Sequence, residues 1–188
     1  MNAIEANSGL EQIWRRRCLW GLLILLPAVI VEVSYQPAMT LLGSKDVVAR
    51  DVGSGEEVRF GGSDWRLDNM LTTNDTGRAR LPANAAPVFV DFSVRVGDPD
   101  LQKLWLGCRI RLVDRDERSW SPTYVNILPP SDDLTTCLSA AYSGAKAGDT
   151  LKIRETFVVP KEALASVRAV LGMSGERPYY LRFDQPAI

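Results

Sequence analysis

The most apolar segment of the chain lies near its N-terminus and follows a cluster of positive charges. Cys18 to Val31 is a run of fourteen residues without a charge, and Arg15, Arg16 and Arg17 stand directly before it. Basic residues beside an apolar run stay on the cytoplasmic side of a membrane. We therefore expect a cytoplasmic tail over residues 1–17 and a single transmembrane signal anchor over residues 18–36, with the rest of the chain extracytoplasmic.

The short length of the apolar run leaves other interpretations open. A spanning helix needs about 17–25 residues, so the segment has to be lengthened at its ends, where Trp14, Trp20 and Tyr35 suit the membrane interfaces. A cleaved signal peptide is one alternative, and it would release a secreted soluble protein. A buried helix of a soluble protein is the other, because short apolar runs also form such helices.

Beyond a linker expected over residues 37–55, the apolar positions take the period of β-strands. Apolar and polar residues alternate in Val88 to Val96 and again in Leu104 to Val113, which predicts two half-buried strands. Shorter apolar runs with turn residues between them predict further strands: 58–60, 65–67, 151–159, 166–171 and 179–183. Lys161 to Ala165 is the one helical turn expected. This pattern predicts an all-β sandwich over residues 56–186.

Cysteine and tryptophan supply the candidate special positions of this domain. An extracytoplasmic location favours a disulfide between Cys108 and Cys137, with two buried free thiols as the alternative. Trp105 falls on the polar side of its predicted strand, so Trp105 and Trp120 are candidates for a contact surface. The alternative for these tryptophans is a second buried face.

The composition limits the chemistry of the chain. There is no histidine, which removes the commonest general base and metal ligand, and we predict no catalytic residues, no bound metal and no cofactor. The 22 basic and 23 acidic residues leave no excess of positive charge for binding nucleic acid. Acidic residues that could act in pairs or hold calcium are more simply explained as loop charges: Asp64, Asp68, Asp114, Asp116, Glu117 and Asp132–Asp133.

Five segments together resemble a known family. They are Glu57–Phe60, Val88–Val94, Arg111–Asp116, Ala147–Thr150 and Phe157–Glu162. This order of features resembles an uncharacterised family of immunoglobulin-like extracytoplasmic domains found on lipoproteins and membrane-anchored proteins of Gram-positive bacteria. The resemblance implies an immunoglobulin-like β-sandwich after the transmembrane helix and supplies no catalytic residues. The sequence departs from the family pattern at Glu117, where a glycine is expected.

These observations favour a non-catalytic protein. Our leading hypothesis is a membrane-anchored module that binds an envelope protein or polymer, or helps to assemble one. The alternatives are a carboxylate-dependent hydrolase of envelope polymers and a secreted antigen-like protein.

Overall fold

The computed structural model describes residues 3–73, 81–123 and 133–185. The chain divides into two compact units, residues 1–43 and 44–188. Among the described residues, the first unit holds one helix, α1 (Ala3–Ser44), and the second holds nine strands and four short helical segments.

Helix α1 is long enough for the membrane role that the sequence suggests. Its apolar part, Trp14–Thr40, has 27 residues. At 1.5 Å per residue it extends about 40 Å, more than the hydrocarbon thickness of about 30 Å. Among the described residues it is the one helix long and apolar enough to cross a membrane, a property that a signal sequence shares. Arg15, Arg16 and Arg17 lie exposed on it.

The linker expected over residues 37–55 is wrong in two places. Helix α1 continues through Pro37 to Ser44, and residues Val48–Val52 form strand β1. Strand β1 could not be predicted from the alternation of apolar residues. It is an edge strand in which only Val52 is buried, so its apolar positions do not alternate. The β domain therefore begins before residue 56.

One sheet has four strands in the order β2-β3-β4-β7. They are β2 (Glu57–Phe60), β3 (Ser63–Thr72), β4 (Ala85–Val96) and β7 (Thr150–Pro160), and each neighbouring pair is antiparallel. The turn between β2 and β3 needs Gly61 and Gly62, which both have positive φ (57° and 74°). The strands predicted around these glycines, at 88–96 and at 151–159 are confirmed.

The second sheet has five strands in the order β1-β9-β8-β5-β6. Its further members are β5 (Arg109–Val113), β6 (Ser119–Trp120), β8 (Arg168–Gly172) and β9 (Tyr179–Phe183). Strand β1 runs parallel to β9, and the remaining pairs are antiparallel. The predicted helical turn after Pro160 is a 3₁₀ segment, Lys161–Ala163.

The core lies between the two sheets, so the predicted β-sandwich is confirmed. Phe92 of the four-stranded sheet contacts Trp65 of the same sheet and Phe183 of the five-stranded sheet, and all three are at most 1% exposed. The Phe92 ring is 5.9 Å from Trp65 and 5.1 Å from Phe183, both nearly edge to face. Such contacts add to the free energy gained by burying the rings.

The predicted strand from Leu104 to Val113 is wrong in its first half. Residues Leu101–Leu104 form a short helix, α2, and the strand begins only at Arg109. Gly107 has a φ of +68°, which turns the chain between the two elements. The alternation of apolar residues before Gly107 therefore did not come from a strand.

The outer edge of β7 is partly covered by the chain. Thr135 forms an isolated parallel bridge with Ile153, exchanging backbone hydrogen bonds with Lys152 and Arg154 at 3.0 and 2.9 Å. Further along the strand, the N–H of Thr123 donates to the carbonyl of Thr156 at 2.7 Å.

Candidate functional site

Cys108 and Cys137 form a disulfide, as the sequence suggests. Cys108 directly precedes β5, and Cys137 begins the short helix α3 (Cys137–Ala140), with the two Cα atoms 6.1 Å apart. Cys137 is buried and Cys108 is half-buried, so the bridge fastens α3 to the rim of the core. Its chemistry is structural because both sulfurs are used in the crosslink.

Trp105 is not on a contact surface. It is 1% exposed, its ring centre is 4.8 Å from that of Trp65, and its indole N–H donates to the carbonyl of Gly61 at 3.0 Å. Residue 105 ends α2 and does not alternate along a strand, which is why its predicted direction was wrong. Trp120 is half-buried on β6, with the Arg118 guanidinium 5.7 Å from its ring centre.

The acidic turn at residues 114–118 is closed by its own hydrogen bonds. Asp114 accepts the backbone N–H groups of Asp116 (3.0 Å) and Arg118 (2.9 Å), and the Nε of Arg118 donates to it at 2.7 Å. Burial alone would raise the pKa of Asp114, but these bonds outweigh it and the pKa is lowered. The carboxylate therefore holds a β-turn, and no group of three potential metal ligands occurs among the described residues.

Glu117 lies in this turn with a φ of +60°. This left-handed backbone is the region where glycine is favoured.

The other acidic candidates face basic partners rather than each other. Asp64 lies 3.5 Å from both Arg59 and Arg95, on the outer side of the four-stranded sheet. Asp68 accepts hydrogen bonds from Ser93, Lys152 and Arg66; burial opposes them, but together they lower its pKa. Asp68 therefore lacks the raised pKa of a general acid. The Asp132–Asp133 pair lies partly outside the described residues.

One buried carboxyl escaped the sequence analysis. Glu155 is 7% exposed on the core-facing side of β7 and accepts the backbone N–H of Cys137 at 2.9 Å. Burial raises its pKa, and the hydrogen bond from Cys137 opposes the shift only in part. Its place beside the disulfide indicates a structural contact between β7 and α3.

A concave surface of the β domain lies on the outer side of the five-stranded sheet. It is a groove of about 470 Å³. Its walls come from strands β5, β6, β8 and β9 and from the adjoining turns. Its lining includes Asp46, Arg111, Arg168, Val170, Tyr180 and Arg182.

Strand pairing brings three arginines around Val170. Arg111 on β5 and Arg182 on β9 lie opposite Val170 on its two sides. Arg168 stands two residues before Val170 on β8, on the same side of the sheet because side chains alternate. Ala169 and Leu171 belong to the inner core, so Val170 faces outward; it is nevertheless only 1% exposed at the floor of the groove.

The arginines differ in how firmly they are held. Arg182 makes a two-pronged pair with Asp51, at 2.6 and 2.9 Å, and this contact lowers the pKa of Asp51. Arg111 meets Asp46 through a single contact of 3.4 Å, and Arg168 meets Asp184 at 3.5 Å. Charge-assisted hydrogen bonds are normally about 2.7–2.9 Å long, so Arg111 and Arg168 are loosely paired.

Asp46 reaches the groove because the sheet leaves space for it. A Cβ at Gly172 would stand 2.5 Å from the Oδ2 atom of Asp46, so only glycine lets the carboxylate lie there. Asp46 is shared between Arg111 and Arg177, at 3.4 Å from each. The Nε atom of Arg111 is buried and has no acceptor among the residues that the structure describes.

The sequence contained part of the signal for this site. The alternation in 109–113 places Arg109 and Arg111 on the outer side of their strand. The groove itself could not be found, because it requires the pairing of β5 with β8 and of β8 with β9, strands that are far apart in the chain.

Comparison with known proteins gives structural likeness only. No family model matches the chain, and no curated protein matches it. An uncharacterized β-sandwich protein from Clostridium difficile is 11% identical, with a TM-score of 0.43, over 72% of this chain and 93% of that one. The yjhA protein from Bacillus subtilis is 12% identical, with a TM-score of 0.46, over 70% of this chain and 99% of that one. A conserved hypothetical protein from Bacillus anthracis is 11% identical, with a TM-score of 0.43, over 70% and 94% respectively.

Proposed function

We propose that this chain is a membrane-anchored, extracytoplasmic binding module that uses the groove on its five-stranded sheet. The groove is the observation that carries the proposal. It combines a buried apolar floor at Val170 with loosely paired arginines and the Tyr180 side chain. The rest of the lining is mostly charged or polar, so the groove suits a small charged or polar group rather than an apolar ligand.

We further propose that the sandwich is immunoglobulin-like. In such domains two central strands pair in each sheet, and the chain crosses between the sheets from one pair to the other. The strand orders support this, since β4 pairs with β7 in one sheet while β5 pairs with β8 in the other. The parallel pairing of β1 with β9 extends the second sheet.

The membrane anchor is proposed on the length of the apolar part of α1 and on the arginines at its start. Arg15, Arg16 and Arg17 would keep the N-terminus in the cytoplasm and direct the β domain outward. The disulfide supports the same orientation because such bonds persist in oxidising compartments.

Protease treatment of spheroplasts tests this topology. The β domain should be digested without lysis, and N-terminal sequencing of the membrane-bound chain should find residues before Arg15 still present. A mature chain that begins after residue 31 would replace the anchor with a cleaved signal. Protection of the β domain in intact spheroplasts would overturn the extracytoplasmic location.

Site-specific photocrosslinking tests the binding role. A photoreactive amino acid replaces Ser119 or Ser166, which line the groove, in the native host. Leu138, 59% exposed and outside the groove, is the control position. We expect a discrete adduct from the groove positions and not from position 138. Equal adducts from all three positions, or none, would contradict the proposal.

The non-catalytic character is proposed from the absence of histidine and from the pairing of Asp64, Asp68 and Asp114 with basic or backbone donors. Alanine substitution of Asp64 and Asp68, which lie on β3 in the other sheet, should leave crosslinking at Ser119 unchanged. A loss of envelope-polymer turnover with the fold retained would instead establish the hydrolase alternative.

A further inference from the structure

We propose that Arg111 and Arg168, above the floor formed by Val170, bind a single oxyanion, either the phosphate or the carboxylate group of a ligand. The inference rests on the groove being a binding site and adds the chemical class of what it binds.

The unused donors of Arg111 are the first part of the argument. A guanidinium carries five N–H donors, and in the described structure Arg111 directs one nitrogen, Nη2, to one acceptor atom, Oδ2 of Asp46, at 3.4 Å. Its side chain is 26% exposed, while its Nε atom is buried without an acceptor. Because part of the guanidinium side chain is exposed, an oxyanion can accept from donors that Asp46 leaves unused.

The second part is the distance between the arginines. Arg111 and Arg168 are diagonal neighbours on the paired strands β5 and β8, because Arg111 lies opposite Val170 and Arg168 opposite Val113. Diagonal residues lie about 7–8 Å apart, with their Cβ atoms somewhat closer, and long side chains can bridge this distance. One group of phosphate or carboxylate size therefore lies within reach of both.

The third part is how tightly each arginine is already bound to an aspartate. Arg182 is held by two short contacts to Asp51 and is expected to stay there as one wall of the site. Arg168 is 46% exposed and its contact with Asp184 is 3.5 Å, so it can turn toward a ligand at little cost. The acidic residues Asp46 and Glu117 in the lining limit the site to a low charge and disfavour long polyanions.

Substitution of Asp46 tests the proposal because it should increase the affinity for the oxyanion. Its carboxylate occupies the same guanidinium that the ligand would use. Replacing it by the isosteric amide removes a competing negative charge from the groove. Asp46→Asn should therefore strengthen oxyanion binding, while Arg111→Gln and Arg168→Gln should weaken it.

The experiment uses the full chain in phosphatidylcholine nanodiscs, with isotope-labelled arginine side chains followed by NMR. Inorganic phosphate and acetate are titrated separately. We expect saturable shifts of the Arg111 Nε–H signal, a loss of affinity of about tenfold or more in Arg111→Gln and Arg168→Gln, and a gain of severalfold in Asp46→Asn. Arg109→Gln is the matched control, an exposed arginine two residues from Arg111 that does not line the groove, and it should change affinity less than twofold.

The source of the oxyanion is distinguished by a second nanodisc arm. Shifts at Arg111 in phosphatidylglycerol discs without added anion would assign the group to a lipid headgroup; shifts only with soluble phosphate or acetate would assign it to a free ligand. Both results support the oxyanion site. A linear response in every variant, or equal affinities for wild type, Arg168→Gln and Arg109→Gln, would overturn it.

Thermal unfolding of each variant checks that it is folded. If Arg111→Gln is unfolded, the affinity of Arg168→Gln for the oxyanion tests the proposal. The outcome is separable from that of the binding role. A groove-specific crosslink without oxyanion binding refutes only the oxyanion site. Oxyanion binding without any crosslink refutes only the docking of an envelope partner.

Discussion

The disulfide between Cys108 and Cys137 should make a large and calculable contribution to stability. The bridge closes a loop with a sequence separation of 29 residues. In the chain-entropy model, a loop of this size removes about 12 cal/mol/K from the unfolded ensemble, or about 3.6 kcal/mol at 25 °C. A domain with a total stability of about 5–15 kcal/mol would lose a substantial part of it on reduction.

The assay is guanidinium unfolding of the full chain in detergent, followed by tryptophan fluorescence, with and without a phosphine reductant. Cys18, which is free and exposed, is first replaced by serine so that it cannot exchange with the bridge. Reduction leaves both sulfur atoms in place, so the difference in unfolding free energy reports the crosslink rather than lost packing. We expect a decrease of about 3–4 kcal/mol.

The matched control is the Cys108→Ala, Cys137→Ala double variant, which should not respond to the reductant. Alkylation verifies that both thiols are free in the reduced protein. If reduction lowers the free energy of unfolding by less than about 1 kcal/mol, the entropic reasoning is refuted for this loop. Alkylation of the chain taken directly from cells should also find both cysteines blocked.

Three further predictions concern the β domain. Glu117→Gly should stabilise it by about 0.5–1 kcal/mol, because the left-handed backbone at residue 117 suits glycine; a higher midpoint in thermal unfolding, absent in Glu117→Ala, is the measurement. Trp105→Ala should cost about 3–5 kcal/mol in chemical unfolding through the lost packing against Trp65, and a loss typical of an exposed residue would contradict its burial. Burial raises the pKa of Glu155, so its stabilising effect is present below the unfolded pKa, near 4.3, and is lost as pH rises through the folded pKa. The unfolding free energy of Glu155→Gln relative to wild type should therefore increase from about pH 4 to about pH 8, and a pH-independent difference would contradict this assignment.

Strands with one buried and one polar face could be predicted from the sequence. Strand β4 was found because Val88, Val90, Phe92, Val94 and Val96 all point into the core. Strand β9 was located with its correct ends for the same reason. Local alternation contains this information, since burial of one side of a strand fixes the period of its apolar residues.

Features that depend on distant pairing could not be predicted. Strand β1 is recognisable only through its parallel register with β9, and α2 only through the packing of Trp105 beneath Gly61. The groove needs Arg111, Arg168 and Arg182 to be placed around Val170 by three strands. These arginines are far apart in the chain, with a separation of up to 71 residues between Arg111 and Arg182, so no local sequence pattern can group them.

The covered edge of β7 has a consequence for how copies of this domain can meet. An open edge of eleven residues would offer a row of unpaired backbone groups to the strand of another molecule. The backbone bonds from Thr123 and Thr135 occupy part of that row, and the other edge strands, β1, β2 and β6, have five residues or fewer. Continuous sheets between neighbouring copies are thereby discouraged. Crowding such domains on one surface should not lead them to polymerise through their edges, which leaves the faces of the sandwich for specific contacts.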